Sequence, residues 1–188
     1  MGKKLEIIAE VKTSSPFGWK SDKTWEELFD IANEVGDTLS IHTDVRWGGS
    51  FDLLRKARLL TNKPILAKGI HEHDTQIQEA IDAGADWVLV VGRMPKLFPE
   101  KCLLEPNTLE ELRLIPGNHK VVWNSRDLSD GGVKGETFEQ ARALFTGWLC
   151  QASNLRTVID IKAGADAVLV GTHLEEFATS MRSGITTS

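Results

Sequence analysis

Short apolar runs rich in β-branched residues alternate, from one end of the chain to the other, with longer stretches whose apolar positions recur at helical spacing. The runs predict eight strands: Leu5–Val11, Leu39–His42, Pro64–Ala67, Trp87–Val91, Cys102–Leu104, Lys120–Trp123, Leu149–Ala152 and Ala167–Val170. Between them, segments such as Thr24-Trp25-Glu26-Glu27-Leu28-Phe29-Asp30-Ile31-Ala32 predict amphipathic helices. Asp22, Ser50, Asp74 or Thr75, and Thr108 are the candidate caps, because a short oxygen-bearing side chain can accept from the first turn. Regular βα alternation indicates an α/β fold around a parallel sheet.

An internal repeat separates a closed barrel from an open sheet. Ala83-Gly84-Ala85-Asp86-Trp87-Val88-Leu89-Val90 recurs eighty positions later as Ala163-Gly164-Ala165-Asp166-Ala167-Val168-Leu169-Val170. In each copy the Gly is expected to end a helix in the left-handed conformation, the Asp to open the turn, and the apolar run to enter the sheet. Placed before strands four and eight, the repeat predicts a four-plus-four (β/α)8 TIM barrel. Such barrels usually need ~200 residues or more, and this chain has 188. The shortage is located between Val91 and Cys102, where two prolines leave no room for a full helix. The helix after strand four is therefore expected to be short or missing, and a second copy of the chain is a candidate to cover the apolar surface left open.

Composition narrows the function classes. The length predicts one domain over residues 1–188, and the net charge of -5, with both signs interspersed, offers no basic stripe for nucleic acid. No apolar run approaches the ~20 residues that span a bilayer. The opening MGKKLEIIAEVK lacks the features of a secretion signal, so a cytoplasmic location is expected. Cys102 and Cys150, far apart and without a CxxC spacing, read as reduced thiols. The five histidines show no ligand spacing, which gives no support to a metal; His71 and His73, flanking Glu72, read as solvated loop residues.

In a barrel of this kind chemistry sits at the C-terminal ends of the strands. Strand one ends Glu10-Val11-Lys12, and alternation puts Glu10 and Lys12 on one face. Strand three ends in Lys68, strand five in Glu105, and strand six in Asn124-Ser125-Arg126-Asp127. Two lysines, two glutamates and an asparagine in one mouth would shift each other's proton affinities and suit acid–base work on a carbonyl substrate. The same groups could instead form a structural ion-pair lattice. After strand eight, Gly171-Thr172-His173 precedes a short helix from Leu174, an arrangement open to a phosphate, although Gly171 could simply turn the chain. The loop Asp44–Ser50 carries Trp47 and reads either as a flexible cover over an aromatic substrate or as a connection whose Trp packs on the rim.

Ile8-Ala9-Glu10-Val11-Lys12-Thr13-Ser14-Ser15-Pro16 resembles the opening barrel motif of the indole-3-glycerol-phosphate synthases. The similarity continues collinearly through Ser40-Ile41-His42-Thr43-Asp44, Pro64-Ile65-Leu66-Ala67-Lys68, Leu103-Leu104-Glu105 and Asn124-Ser125-Arg126-Asp127-Leu128. The resemblance implies a carboxy-lyase of tryptophan biosynthesis that acts on a small phosphorylated substrate without metal or organic cofactor. It implies Lys68 as general acid, Glu105 as acid–base partner, Lys12 on the substrate carboxylate, and Glu10 and Asn124 as orienting groups. Ser15, Arg126, Ser153, Gly171 and Thr172 fall at substrate- and phosphate-binding positions.

Three departures stand against it. The extension that the family places over the mouth has no counterpart before the first strand. Lys68-Gly69-Ile70 replaces Lys-Asp-Phe, and Gln151-Ala152-Ser153 replaces Glu-Ser-Gly, so the phosphate grip is the part most altered. Two other readings stay open: an aldolase forming a Schiff base on Lys68 or Lys12, and a non-catalytic barrel that only binds a phosphate ester. The neighbouring isomerase of the same pathway is disfavoured, because it wants a cysteine where this chain has Glu10 and Lys12.

Overall fold

In the computed structural model, which describes residues 2–184, eight parallel strands close into a barrel in sequence order. They are β1 (Glu6–Val11), β2 (Thr38–His42), β3 (Ile65–Lys68), β4 (Trp87–Val91), β5 (Cys102–Glu105), β6 (Lys120–Asn124), β7 (Leu149–Ala152) and β8 (Ala167–Val170). Each lies within a residue of the run that predicts it. β1 pairs with β8 from Glu6↔Ala167 to Ala9↔Val170 and closes the TIM barrel.

Side-chain alternation divides the strands between two cores. Ile8, Leu66, Leu89, Leu103, Val122, Cys150 and Leu169 form the cluster that fills the barrel interior. Ala9, Leu39, Ile41, Ile65, Ala67 and Val88 belong to the cluster that meets the helices. This parity carries Glu10, Lys12, Lys68, Glu105 and Asn124 inward at the top of the same strands.

The helices are α1 (Trp25–Val35), α2 (Phe51–Leu60), α3 (Asp74–Asp82), α4 (Leu109–Arg113), α5 (Phe138–Leu144) and α6 (Leu174–Gly184). Ser50 and Thr108 cap α2 and α4 as expected, each accepting at 3.1 Å from the backbone N–H three residues on. Two cap assignments are corrected. Thr24, not Asp22, caps α1, because it exchanges bonds with Glu27 in a reciprocal box: the Glu27 N–H donates to Thr24 and the Thr24 N–H to Glu27. α3 already includes Asp74 and Thr75, and the Gln76 side chain accepts from the His73 N–H at 3.0 Å. Asp74 serves elsewhere, pairing with Arg93 and accepting from the N–H groups of Lys96 and Leu97.

Between β4 and β5 only a 3-10 turn, Pro99–Lys101, takes the place of a helix, as the prolines require. Met94 of that connection and Leu114 at the end of α4 stand exposed and line one hollow. The β7–β8 connection also holds only a 3-10 turn, Val158–Asp160, which the repeat did not foretell. Thr157, Val158, Ile159 and Ile161 are β-branched and disfavour a helix. Gly164 accordingly takes the expected positive φ, +83°, without a helix to end, whereas Gly84 at +108° follows α3.

What the repeat does encode is a pair of clamps beneath the barrel. Asp86 accepts from the Ile65 N–H at 2.9 Å and from Arg58 at 3.0 Å, while Arg58 also donates to the Gly84, Thr61 and Lys63 carbonyls. Half a barrel away, Asp166 accepts from the Leu149 N–H at 2.9 Å and from Arg142 at 3.2 Å. Arg142 likewise donates to the Gly164, Phe145 and Gly147 carbonyls. Each guanidinium fork thus ties a helix end to two successive strands. Among the described residues no helix is long and apolar enough to cross a membrane.

Candidate active site

Because β1 carries Glu10 and Lys12 inward at its top, and β3 carries Lys68, three charges meet in the mouth. Glu10 Oε2 lies 3.0 Å from Lys68 Nζ, and Oε1 lies 3.6 Å from Lys12 Nζ. Burial would raise the Glu10 carboxyl, but the two ammonium groups hold it down at about 2. Lys12 is lowered to about 8, chiefly by burial, with the Glu10 charge working against the shift. Lys68 moves the other way: burial opposes its charge, yet Glu10 and Glu105 together raise it above the ordinary lysine value. Lys12 also donates to Thr172 Oγ1 at 2.7 Å and lies 5.2 Å from the Trp19 ring centroid.

On the far side of the mouth Glu105 is 3% exposed. Burial raises its pKa against the pull of Lys68. Asn124 Nδ2 faces Glu105 Oε2 at 3.5 Å, and Asn124 Oδ1 accepts from the Ser153 hydroxyl at 2.7 Å and from the Arg126 N–H at 3.0 Å. Glu105 Oε1 has no hydrogen-bond partner among the described residues. Gly171 permits a close approach: a Cβ there would lie 2.6 Å from Glu10 Oε1.

Two adjoining cavities hold most of the sequence-derived set. One is lined by Glu10, Lys12, Lys68, Gly171 and Thr172, the other by Glu105 and Asn124 with Lys12 and Lys68 again. Arg126 and Ser153 line both. Ser15 lines neither; its hydroxyl accepts from the Phe17 N–H and its own N–H donates to the Trp19 carbonyl, which folds the β1–α1 loop on itself.

Two other placements differ from the sequence reading, and a third decides between readings left open. His71 is not a solvated loop residue but 3% exposed, with Nδ1 2.5 Å from the Leu89 carbonyl and Nε2 2.9 Å from Thr43 Oγ1. It occupies the space behind Lys68: a Cβ on Gly69 would stand 2.7 Å from Thr43 Oγ1 and 3.2 Å from the His71 ring. The position where the resembled family carries Asp is therefore already filled by a neighbour. Gln151 points away from the mouth, its amide donating to the Asp160 carbonyl at 2.9 Å and accepting from the Lys162 N–H at 2.8 Å. It pins the β7–β8 connection. Trp47 takes the second of its two readings, 7% exposed and packed on the rim.

The ring beneath Trp47 is His42, which the sequence reading passed over; the two stack at 5.0 Å with 9° between planes. Burial and the Lys68 charge hold the imidazole down at about 3, so it is neutral. Alternation on β2 puts Thr38, Ser40 and His42 on the inward face, the signal that could have found it.

The fold and rim define a (β/α)8 barrel whose strand ends converge a lysine–carboxylate set on a polar mouth. The family model for indole-3-glycerol phosphate synthase matches residues 2–183, and the chain belongs to that family. Relatives named indole-3-glycerol phosphate synthase include one from Acaryochloris marina, 32% identical over 89% of this chain and 65% of its own length. Another, from Deinococcus radiodurans, is 32% identical over 92% of this chain and 74% of its own length. A third, from Pyrococcus abyssi, is 30% identical over 91% and 86% respectively. Among solved structures, 3-hexulose-6-phosphate synthase superposes with a TM-score of 0.64 at 14% identity, covering 94% of this chain and 99% of that one. KGPDC from Streptococcus mutans gives 0.64 at 14%, covering 97% and 96%. These last two show the fold alone.

Proposed function

We propose that the chain closes the indole ring of 1-(2-carboxyphenylamino)-1-deoxyribulose 5-phosphate, releasing carbon dioxide and water. The observation that carries this reading is the buried ion pair of Glu10 and Lys68 beside Lys12, with Glu105 facing them across the mouth. Lys68, kept protonated by two carboxylates, gives its proton to the substrate ketone as the aromatic ring attacks. Lys12 meets the substrate carboxylate and assists the later loss of water. Glu105, raised by burial, alternates between proton acceptor and donor, and Asn124 orients it. Arg126, the backbone about Gly171 and Thr172, and the N-terminus of α6 form the seat for phosphate.

The Schiff-base alternative asks Lys68 to be a neutral amine, which its ion pair with Glu10 opposes. Incubating the purified full chain with the substrate and following indole fluorescence is the test. Product well above that of a Lys68→Met control supports ring closure, and none above it overturns the reading. A borohydride-stable mass adduct on lysine would instead favour the aldolase.

A further inference from the structure

We infer that His42 touches the substrate: beside Lys68, its ring N–H donates to the ketone oxygen on which negative charge gathers as the indole ring closes. The inference rests on the ring-closing reading of the mouth and adds a second donor to the oxygen that Lys68 protonates.

Register puts the imidazole among the reacting groups. His42 and Lys68 are cross-strand partners, both on the inward face of their strands. β1 and β2 pair up to Val11↔Ile41, so Lys12 comes beside His42 on its other side. The ring lines the cavity that Lys12, Lys68, Glu105 and Asn124 share. The stack against Trp47, at 5.0 Å and 9°, holds its plane. Lys68, Glu10, Lys12 and Asp44 are the charges that face it, and burial together with the lysines keeps it uncharged.

A neutral imidazole has one N–H and one lone pair, and its surroundings decide which nitrogen carries the proton. Nδ1 is buried with no hydrogen-bond partner among the described residues. An N–H sealed there would be an unsatisfied donor in the field of two ammonium groups, whereas a lone pair suits that field. The proton therefore belongs on Nε2, the nitrogen left to face the cavity. A neutral imidazole donor polarises a carbonyl without adding a third positive charge to the rim. As the aromatic carbon bonds to the ketone carbon, the C=O electron pair passes to the oxygen and Lys68 supplies its proton. His42 keeps its own proton, and its hydrogen bond strengthens as charge builds on the oxygen.

Two variants and one spectrum test the assignment in the full chain. His42→Leu removes the donor, and His42→Gln restores an uncharged N–H at similar reach. We expect kcat for ring closure to fall about a hundredfold in His42→Leu, the loss of one donor to a developing oxyanion. KM should stay within about threefold. His42→Gln should recover about tenfold of the loss. An unchanged kcat in His42→Leu, or a KM rise without a fall in kcat, would overturn the proposal. So would a His42→Gln chain no faster than His42→Leu, which would leave the ring a packing role beneath Trp47. The spectrum needs no turnover: nitrogen-15 resonances of His42 in the parent chain at neutral pH should place the proton on Nε2. Adding the substrate analogue whose ketone is reduced to an alcohol should shift that resonance. A proton on Nδ1, or an unmoved Nε2 resonance, overturns the assignment. A parent chain that makes no indole product defeats the ring-closing reading, whereas one that makes it with Nε2 unmoved defeats this inference alone.

Discussion

Lys12 donates to Thr172 at 2.7 Å, so the ammonium at the end of β1 is held by the hydroxyl at the end of β8, across the seam where the barrel closes. This bond stabilises the charged form of a lysine whose pKa burial has already lowered to about 8. Thr172→Val keeps the side-chain shape and removes the acceptor. The Lys12 pKa then falls further, and the alkaline limb of the kcat–pH profile moves to lower pH. A pH–rate profile of the variant beside the parent checks this, and an unmoved limb would assign the limb to a different group.

Glu10 is the shared counter-ion of two lysines, and Glu10→Gln leaves both without it. Removing one partner from a buried ion pair costs about 3 kcal/mol or more, moderated here because Lys12 can release its proton. The sign with pH follows from the depressed value. The carboxyl titrates at about 2 in the folded chain against 4.5 ordinarily, so its contribution is complete above 4.5 and disappears as pH falls toward 2. Urea unfolding at neutral pH should show a large gap between parent and variant, and the gap should narrow across that acid window.

Gln151, matched from the sequence to a glutamate of the resembled family, faces away from the mouth, and a glutamate placed there is expected to harm. A carboxylate can still accept from the Lys162 N–H but cannot donate to the Asp160 carbonyl. Gln151→Glu should lose about 1–3 kcal/mol, the cost of a buried unsatisfied polar group, and gain no turnover. Thermal melting together with the indole assay measures both halves of the expectation.

The two clamps beneath the barrel share no partner, so their contributions should add. Lysine cannot reproduce the fork that reaches an Asp and several carbonyls at once. Arg58→Lys and Arg142→Lys are each expected to cost about 2 kcal/mol, and the double variant about the sum. Denaturant titration of the four chains reads this directly, and a double variant far from additive would show that the half-barrels communicate.

Much of the fold was legible because its signals are local. β-branched apolar runs fix the strands, prolines delete the helix after β4, and strand parity brings Glu10, Lys12, Lys68, Glu105 and Asn124 to one mouth. The misreadings arise where a residue's role depends on something distant in sequence. Whether Thr24 or Asp22 caps α1 turns on Glu27 reaching back. The burial of His71 depends on Thr43, just after β2, and on Leu89 of β4. Gln151 resembles an altered site residue until the outward parity of β7 and its bonds to residues 160 and 162 are seen. The Ser153 bond to Asn124 joins residues from two different strand ends, which no periodicity reports.

Gly171 leaves the space that Glu10 fills, since a Cβ there would stand 2.6 Å from the carboxylate. The seat proposed for phosphate and the charge centre of the mouth are thus separated by a wall no thicker than a methyl group. Gly171→Ala would push the carboxylate aside before the new methyl met any phosphate, and would retune two lysines that it never touches. Grip on the substrate and balance of charge therefore answer to a single codon, and neither property can drift without the other.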